Sequence, residues 1–184
     1  FALDCGVDSV MVDGSHLPLD ENIQFTKSMA ELAHARGVVV EAELGRLAGE
    51  EDGLSVSEKE AKMTDPDVVE EFVSKTQVDM LAVTIGNVHG KYKNPPDLDF
   101  PRMAAIREAT ERATATAREM EGGSVVGAAP CLLVLHGASG LSEEIITKVV
   151  AGGVCKFNVN TDLRNASISS IREGFEVAGG AQEG

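Results

Sequence analysis

Four residues in this chain combine types and positions that suit chemistry. Glu41 and Glu43 stand two apart in VVVEAELG, a spacing that turns both carboxylates to one face of a β-strand, and Gly45 stops the strand beside them. His89, in IGNVHG, and His136, in LLVLHG, each follow an apolar run and precede a glycine. Imidazoles and carboxylates are donors for zinc, whose catalytic sites take three protein ligands and keep one position open. The same groups serve as general acids and bases. Taken singly, each histidine is also at home as a hydrogen-bonded rim residue. Two in equivalent places on successive strands favour ligation. The acidic triplet Glu50, Glu51 and Asp52 also admits a plain reading as a solvated βα loop.

What must position these groups is a series of strand, turn and helix units. Val7 to Val12 reads as a strand ending at Asp13, and the loop Ser15 to Pro18 holds His16, open between loop packing and the site edge. From Asp20, read as an N-cap, the spacing of Phe25, Met29, Leu32 and Ala33 predicts a helix that Gly37 stops, with His34 solvated. Val38 to Leu44 is the next strand. Thr64-Asp65-Pro66 opens a helix with proline first, its face made by Val69, Phe72, Val73 and Thr76, and Met80 to Ile85 is the third strand. A helix from Asp99 and Pro101 to about Met120 and a small, exposed excursion over 121–129 lead to the strand Leu132 to Leu135, buried on both faces. Ser142 caps the following helix, Gly152-Gly153 ends it, and Cys155 to Val159 is the last strand. The final helix runs from Asp162 with Leu163, Ile168, Ile171 and Phe175, and frays from Gly179.

Five such units predict a parallel α/β sheet with one functional rim. The strand ends hold Asp13, Glu43, His89, His136, Asn158 and Asn160, whereas the strand starts are read as holding none. A (β/α)8, TIM-barrel type of fold with a metal site on its C-terminal face is therefore expected. Because such a barrel takes roughly 250 residues, the 184 here are expected to be an N-terminally truncated portion of about five βα units.

Composition narrows the partners. A hydrophobic content of 43% with 25% charged residues is that of an ordinary globular domain. The net charge of -14 argues against nucleic acid and anionic membrane surfaces, so a phosphorylated substrate would need local devices. No apolar run approaches the roughly 20 residues of a membrane span. Neither does the start read as a leader. Cys5, Cys131 and Cys155, odd in number and without a C-x-x-C pair, are read as buried packing residues of a reduced, cytoplasmic protein.

Two turns offer those local devices. Gly137-Ala138-Ser139-Gly140 runs from a strand towards the helix at Ser142, and Asn158 to Thr161 does the same on the next strand, so backbone N–H groups converge where a helix dipole favours an anion. Lys156 shares strand parity with Asn158 and is read as a rim lysine paired with carboxylates or, alternatively, as a Schiff-base nucleophile.

The runs MVDGSHLPLDEN, AHARGVVVEAELGRLAGEED, IGNVHGKY, LVLHGASGL and KFNVNTDLR, in this order over nearly the whole chain, resemble the class II, metal-dependent fructose-bisphosphate aldolases, on the branch that includes tagatose-bisphosphate aldolases. The resemblance implies that His89 and His136 ligate zinc, with Asp13 and Glu43 at a second or alternative metal position. It implies that Gly90, Gly137, Ala138 and Ser139 hold a substrate phosphate and a monovalent cation (Na+ or K+) beside it. Asn158, Val159, Asn160 and Thr161 would grip the dihydroxyacetone phosphate portion, and Glu51 would transfer a proton. The implied reaction is reversible aldol cleavage of a ketose 1,6-bisphosphate, with zinc as the Lewis acid, in a homodimer or homotetramer.

Departures from the family pattern qualify this. The Asp-His motif that carries the third zinc histidine and a catalytic aspartate does not occur here, so residues 1–184 alone are expected to be inactive. The run from about 109 to 129 reads as an insertion. Ala48 replaces a common glycine and Asn160 a common aspartate, and nothing separates fructose from tagatose bisphosphate. Outside the enzymes, the alternative is a non-catalytic or degenerate barrel module of a longer fusion protein.

Overall fold

A computed structural model of the chain describes residues 1–51, 54–56, 62–90, 92, 95–120 and 130–180, with the side chains of 48–51, 54–56, 116–120 and 177–180 outside the description. After a 3-10 turn at Ala2–Cys5 come β1 (Ser9–Val12), α1 (Leu19–His34), β2 (Val39–Leu44), β3 (Ala48–Glu51), β4 (Leu54–Val56) and α2 (Pro66–Thr76). Then follow β5 (Met80–Val83), β6 (Val88–His89), α3 (Phe100–Met120), β7 (Leu132–Leu135), α4 (Glu143–Ala151), β8 (Val154–Phe157) and α5 (Thr161–Gly180). The excursion read over 121–129 and the tail from 181 lie outside the described residues.

Five strands form one parallel sheet in the order β1-β2-β5-β7-β8. Sheet neighbours are thus successive βα units, because a parallel connection needs a crossover long enough to hold a helix. Alternation along β2 separates two faces: Val40, Ala42 and Leu44 join the core under the helices, while Glu41 and Glu43 point the other way. That second face continues through Ala82 on β5, Val134 on β7 and Lys156 on β8, each in register with the last.

The helical face is built by complementary stripes. Asp65 caps α2 by accepting from the Asp67 N–H, Pro66 takes the first helical position, and Val69, Phe72, Val73 and Thr76 are buried as their spacing requires. Ser142 likewise caps α4 by accepting from the Ile145 N–H. In α1 the face is only partly as read: Ala33 is buried and Met29 packs against the core, as expected. The buried face is Asn22, Ile23, Thr26, Ala30 and Ala33, while Phe25 and Leu32 are exposed, because small residues let the helix approach β2 closely. Nor is Asp20 the cap: α1 begins at Leu19 after Pro18, whose carbonyl accepts from the Asn22 N–H. The stretch read as an insertion begins inside α3, where Ala109 and Ala113 are buried against the core. By contrast α5 leaves Leu163, Ile168, Ile171 and Phe175 exposed.

Three more readings are corrected. Of the cysteines, Cys131 is buried but Cys5 and Cys155 are exposed. Burial, with Asp79 and Cys155 nearby, pushes the Cys131 thiol up to about 12. The strand starts do hold acids: Asp8 precedes β1 and Asp79 precedes β5. Asp79 Oδ2 accepts from the Val40 N–H (2.7 Å) and from His34 Nε2 (2.8 Å), so His34 is a surface histidine with a partner. Finally, β4-β3-β6 form a small second sheet that was not anticipated. Its strands are too short and polar for periodicity to reveal. No helix among the described residues is long and apolar enough to cross a membrane.

Candidate active site

Parity on β2 delivers Glu41 and Glu43 to the concave face, and both are buried. His136 follows β7 directly and is also buried. A carboxylate can only accept, so His136 Nε2–H donates to Glu41 Oε1 at 2.8 Å. The other nitrogen, Nδ1, lies 3.5 Å from Glu43 Oε2. Glu41 is held a second time, by Lys156, whose ammonium donates to Oε2 at 2.6 Å and to Asn158 Oδ1 at 2.8 Å. β2 and β8 are separated by β5 and β7. In a flat sheet that is three spacings of about 4.8 Å, roughly 14 Å, which two upright side chains do not bridge. The contact therefore reports strong curvature, of the kind that closes barrels.

The ionisation of the cluster follows from this geometry. Burial pushes the Glu41 carboxyl up, but the hydrogen bonds and charges of His136 and Lys156 outweigh it and hold the carboxyl below its ordinary range. Burial pushes the His136 imidazole down, and here too the partners win: Glu41 and Glu43 raise it to about 9. The two neighbouring carboxyl groups therefore favour the protonated form of the His136 ring.

A second histidine joins from β6. The rings of His89 and His136 stack with centroids 5.9 Å apart and planes 24° from parallel. Three contacts fix their relative position. Asn87 Nδ2 donates to the His136 carbonyl (3.0 Å) while Asn87 Oδ1 accepts from the Ile85 N–H (2.8 Å). Tyr92 donates its hydroxyl proton to the Gly137 carbonyl at 3.0 Å. At Gly137 the φ of +65° favours glycine, and a Cβ would run into the Val88 carbonyl oxygen.

Past the histidines lies a small cleft lined by His89, Gly90, Gly137, Ser139, Asn158, Asn160 and Thr161. Six of the residues expected to bind phosphate or substrate thus meet in one place. Ala138 and Val159 do not line it: Ala138 is buried with its N–H donating to the Asn158 carbonyl (3.3 Å), and Val159 is exposed. The two loops are locked together, as the Gly140 N–H donates to Asp162 Oδ2 (2.8 Å) and the Asp162 N–H donates to Ser139 Oγ (3.2 Å). A larger cavity of about 250 Å³ lies elsewhere, between the starts of α1 and α2, and includes none of these residues.

One expected residue stands apart. Asp13 is exposed, and its Oδ1 accepts from the Ser15 N–H in a local turn. His16 is exposed as well. The side chain of Glu51 lies outside the described residues, but its strand is placed: β3 runs parallel to β6, with Gly49 opposite His89 and Glu51 two residues further on. Glu41 was visible in the sequence as half of a carboxylate pair without its role. Lys156 was visible by parity, and of its two readings the pairing with a carboxylate is the one found.

The donor set can be tested against zinc by distance. Two ligand atoms about 2.0–2.1 Å from a tetrahedral ion lie about 3.4 Å apart. His136 Nδ1 and Glu43 Oε2, at 3.5 Å, match that spacing. The opposite ring nitrogen is hydrogen-bonded to a carboxylate, as is usual for zinc-bound histidine. That spacing suits two ligands of one ion on the Nδ1 side, while among the described residues no group of three His, Cys, Asp or Glu side chains is placed to hold a metal ion.

Comparison with known proteins bears on the family rather than on the metal. The model of the class-II fructose-bisphosphate aldolase family matches residues 1–183. The chain belongs to this family. A Coccidioides immitis protein assigned as a fructose-1,6-bisphosphate aldolase is 36% identical, with a TM-score of 0.77 over 94% of this chain and 54% of its own. The YdjI aldolase of Escherichia coli K12 is 33% identical, with a TM-score of 0.67 over 94% of this chain and 51% of its own. The fructose-bisphosphate aldolase Fba of Campylobacter jejuni is 27% identical, with a TM-score of 0.63 over 90% of this chain and 45% of its own. The chain thus spans about half the length of these aldolases, and its sheet is the corresponding part of their barrel-like fold.

Proposed function

We propose that this chain carries the metal side and the phosphate side of a class II aldolase centre that cleaves fructose 1,6-bisphosphate reversibly to dihydroxyacetone phosphate and glyceraldehyde 3-phosphate. The observation that carries the reading is the ligand-like spacing of His136 Nδ1 and Glu43 Oε2 next to a glycine-lined cleft. His136 and His89 would hold zinc, with Glu43 and Asp13 at a second or alternative metal position. The zinc, when bound, supplies Lewis-acid polarisation of the ketone oxygen.

The chain's own residues supply binding and proton transfer. Gly90, Gly137 and Ser139 offer backbone N–H groups and a hydroxyl to a phosphate, with a monovalent cation beside it, and Asn158, Asn160 and Thr161 orient the three-carbon ketone. The room inside the cleft is about 20 Å³, near the volume of one water. A whole phosphate is larger than this cleft and would meet these groups at its mouth. Glu51, two residues beyond the partner of His89, would move the proton at the carbon where the bond breaks. Lys156 is held by two acceptors as an ammonium, which argues against a Schiff-base route.

The test is cleavage of fructose 1,6-bisphosphate by the whole protein supplied with zinc, with and without EDTA, beside His136→Ala. Turnover lost to both treatments is the expected result. A folded, zinc-supplied protein inactive on fructose and tagatose bisphosphates alike would replace this reading with a non-catalytic barrel module. Residues 1–184 alone are expected to show no turnover, and EDTA-sensitive activity from them would overturn that expectation.

A further inference from the structure

We infer that Lys156 and Glu41 are positioning residues for the metal centre: the Lys156 ammonium holds Glu41, Glu41 holds His136 Nε2, and the ring so fixed turns Nδ1 towards Glu43. This rests on the metal reading above. Both oxygens of Glu41 are committed, Oε1 to His136 at 2.8 Å and Oε2 to Lys156 at 2.6 Å, so the carboxylate cannot swing to a ligand position of its own. A flip of the His136 ring would present carbon to Glu41 and forfeit a buried, charge-assisted hydrogen bond. Only one ring orientation keeps Nε2 on Glu41 and Nδ1 facing Glu43.

Lys156 does more than neutralise Glu41. Its Nζ also donates to Asn158 Oδ1 at 2.8 Å, and Asn158 lines the small cleft. One ammonium thus fixes the orienting carboxylate on the metal side and the amide on the substrate side. It can serve both because Lys156 and Asn158 share parity at the end of β8, while Ala82 and Val134 leave the concave face low between β2 and β8. Outer partners of this type typically change metal affinity about 10–100-fold when removed.

The experiment uses two readouts on the whole protein, wild type beside Lys156→Met and Glu41→Gln. The first, on metal-free protein, is the ¹H–¹⁵N signal of the His136 ring. A slowly exchanging Nε2–H is expected in the wild type, and its loss or broadening in both variants. The second is zinc affinity by chelator competition at one fixed pH, expected to weaken about 10-fold in Lys156→Met and about 10–100-fold in Glu41→Gln. An unchanged ring signal, or a zinc affinity within about two-fold of wild type, in folded Lys156→Met would overturn the inference. Lys156→Gln gives the same readings if the methionine variant does not fold. Absence of zinc binding by the wild type would sink the metal reading instead, and the ring signal alone would then decide the positioning.

Discussion

Two histidine–carboxylate pairs of the same length stand at opposite ends of the sheet. At the strand starts, His34 Nε2 meets Asp79 Oδ2 at 2.8 Å, with side chains 37% and 41% exposed. At the strand ends, His136 Nε2 meets Glu41 Oε1 at 2.8 Å, with side chains 5% and 3% exposed. Water screens the first pair, so the contact contributes little. The second has lost most of its hydration, and the loss is offset only because Lys156 and Glu43 complete the network. Bond length does not distinguish a surface tether from a site; burial and the number of converging charges do.

Removing one member of the buried network should have the largest effect. Glu41→Ala leaves His136 and Lys156 without their shared acceptor, and about 3–5 kcal/mol of stability should be lost in urea unfolding. A loss below about 1 kcal/mol would mean that the strand-end cluster is as solvated as the strand-start pair, and the contrast would fail.

This contrast also marks how far the sequence could be read. Spacing alone put Glu41 and Glu43 on one face, because strand geometry is local. The same locality made the histidine and glycine turns legible, and the sequential order of the strands followed from helical crossovers. What joins them was not legible. Glu41 and Lys156 are 115 residues apart, and only the curvature of the sheet brings them together. At the other end Asp79 went unnoticed as a strand-start acid because its partners, His34 and the Val40 N–H, come from a helix end and a neighbouring strand. The β3 and β6 ladder escaped for a different reason: segments of four and two residues are too short to carry a period.

The second prediction uses pH on the metal-free protein. The folded pKa of His136 is raised to about 9 from an ordinary 6.5. Its contribution is therefore fully present below pH 6.5 and is lost as pH rises through about 9, a change on the order of 3 kcal/mol. Glu41 has the opposite sign: its pKa is lowered from 4.5, so its contribution is present above pH 4.5 and disappears as pH falls through the folded value. Stability from this cluster should peak between pH 4.5 and 6.5. In Glu41→Ala the alkaline decline should flatten, and an unchanged decline would assign it to other groups.

The smallest effect belongs to the strand-start pair. His34→Ala removes a hydrogen-bonded contact that is more than a third exposed on both sides, and it should cost about 0.5 kcal/mol or less. Asp79 keeps its acceptance of the Val40 N–H, so the pairing of β2 with β5 has no reason to loosen. Amide exchange at Val40 should accordingly match the wild type, while Asp79→Ala, which removes both bonds, should speed it. If His34→Ala alone sped exchange at Val40, the histidine would be holding the carboxylate in place as Lys156 holds Glu41, and the two ends of the sheet would differ in burial without differing in design.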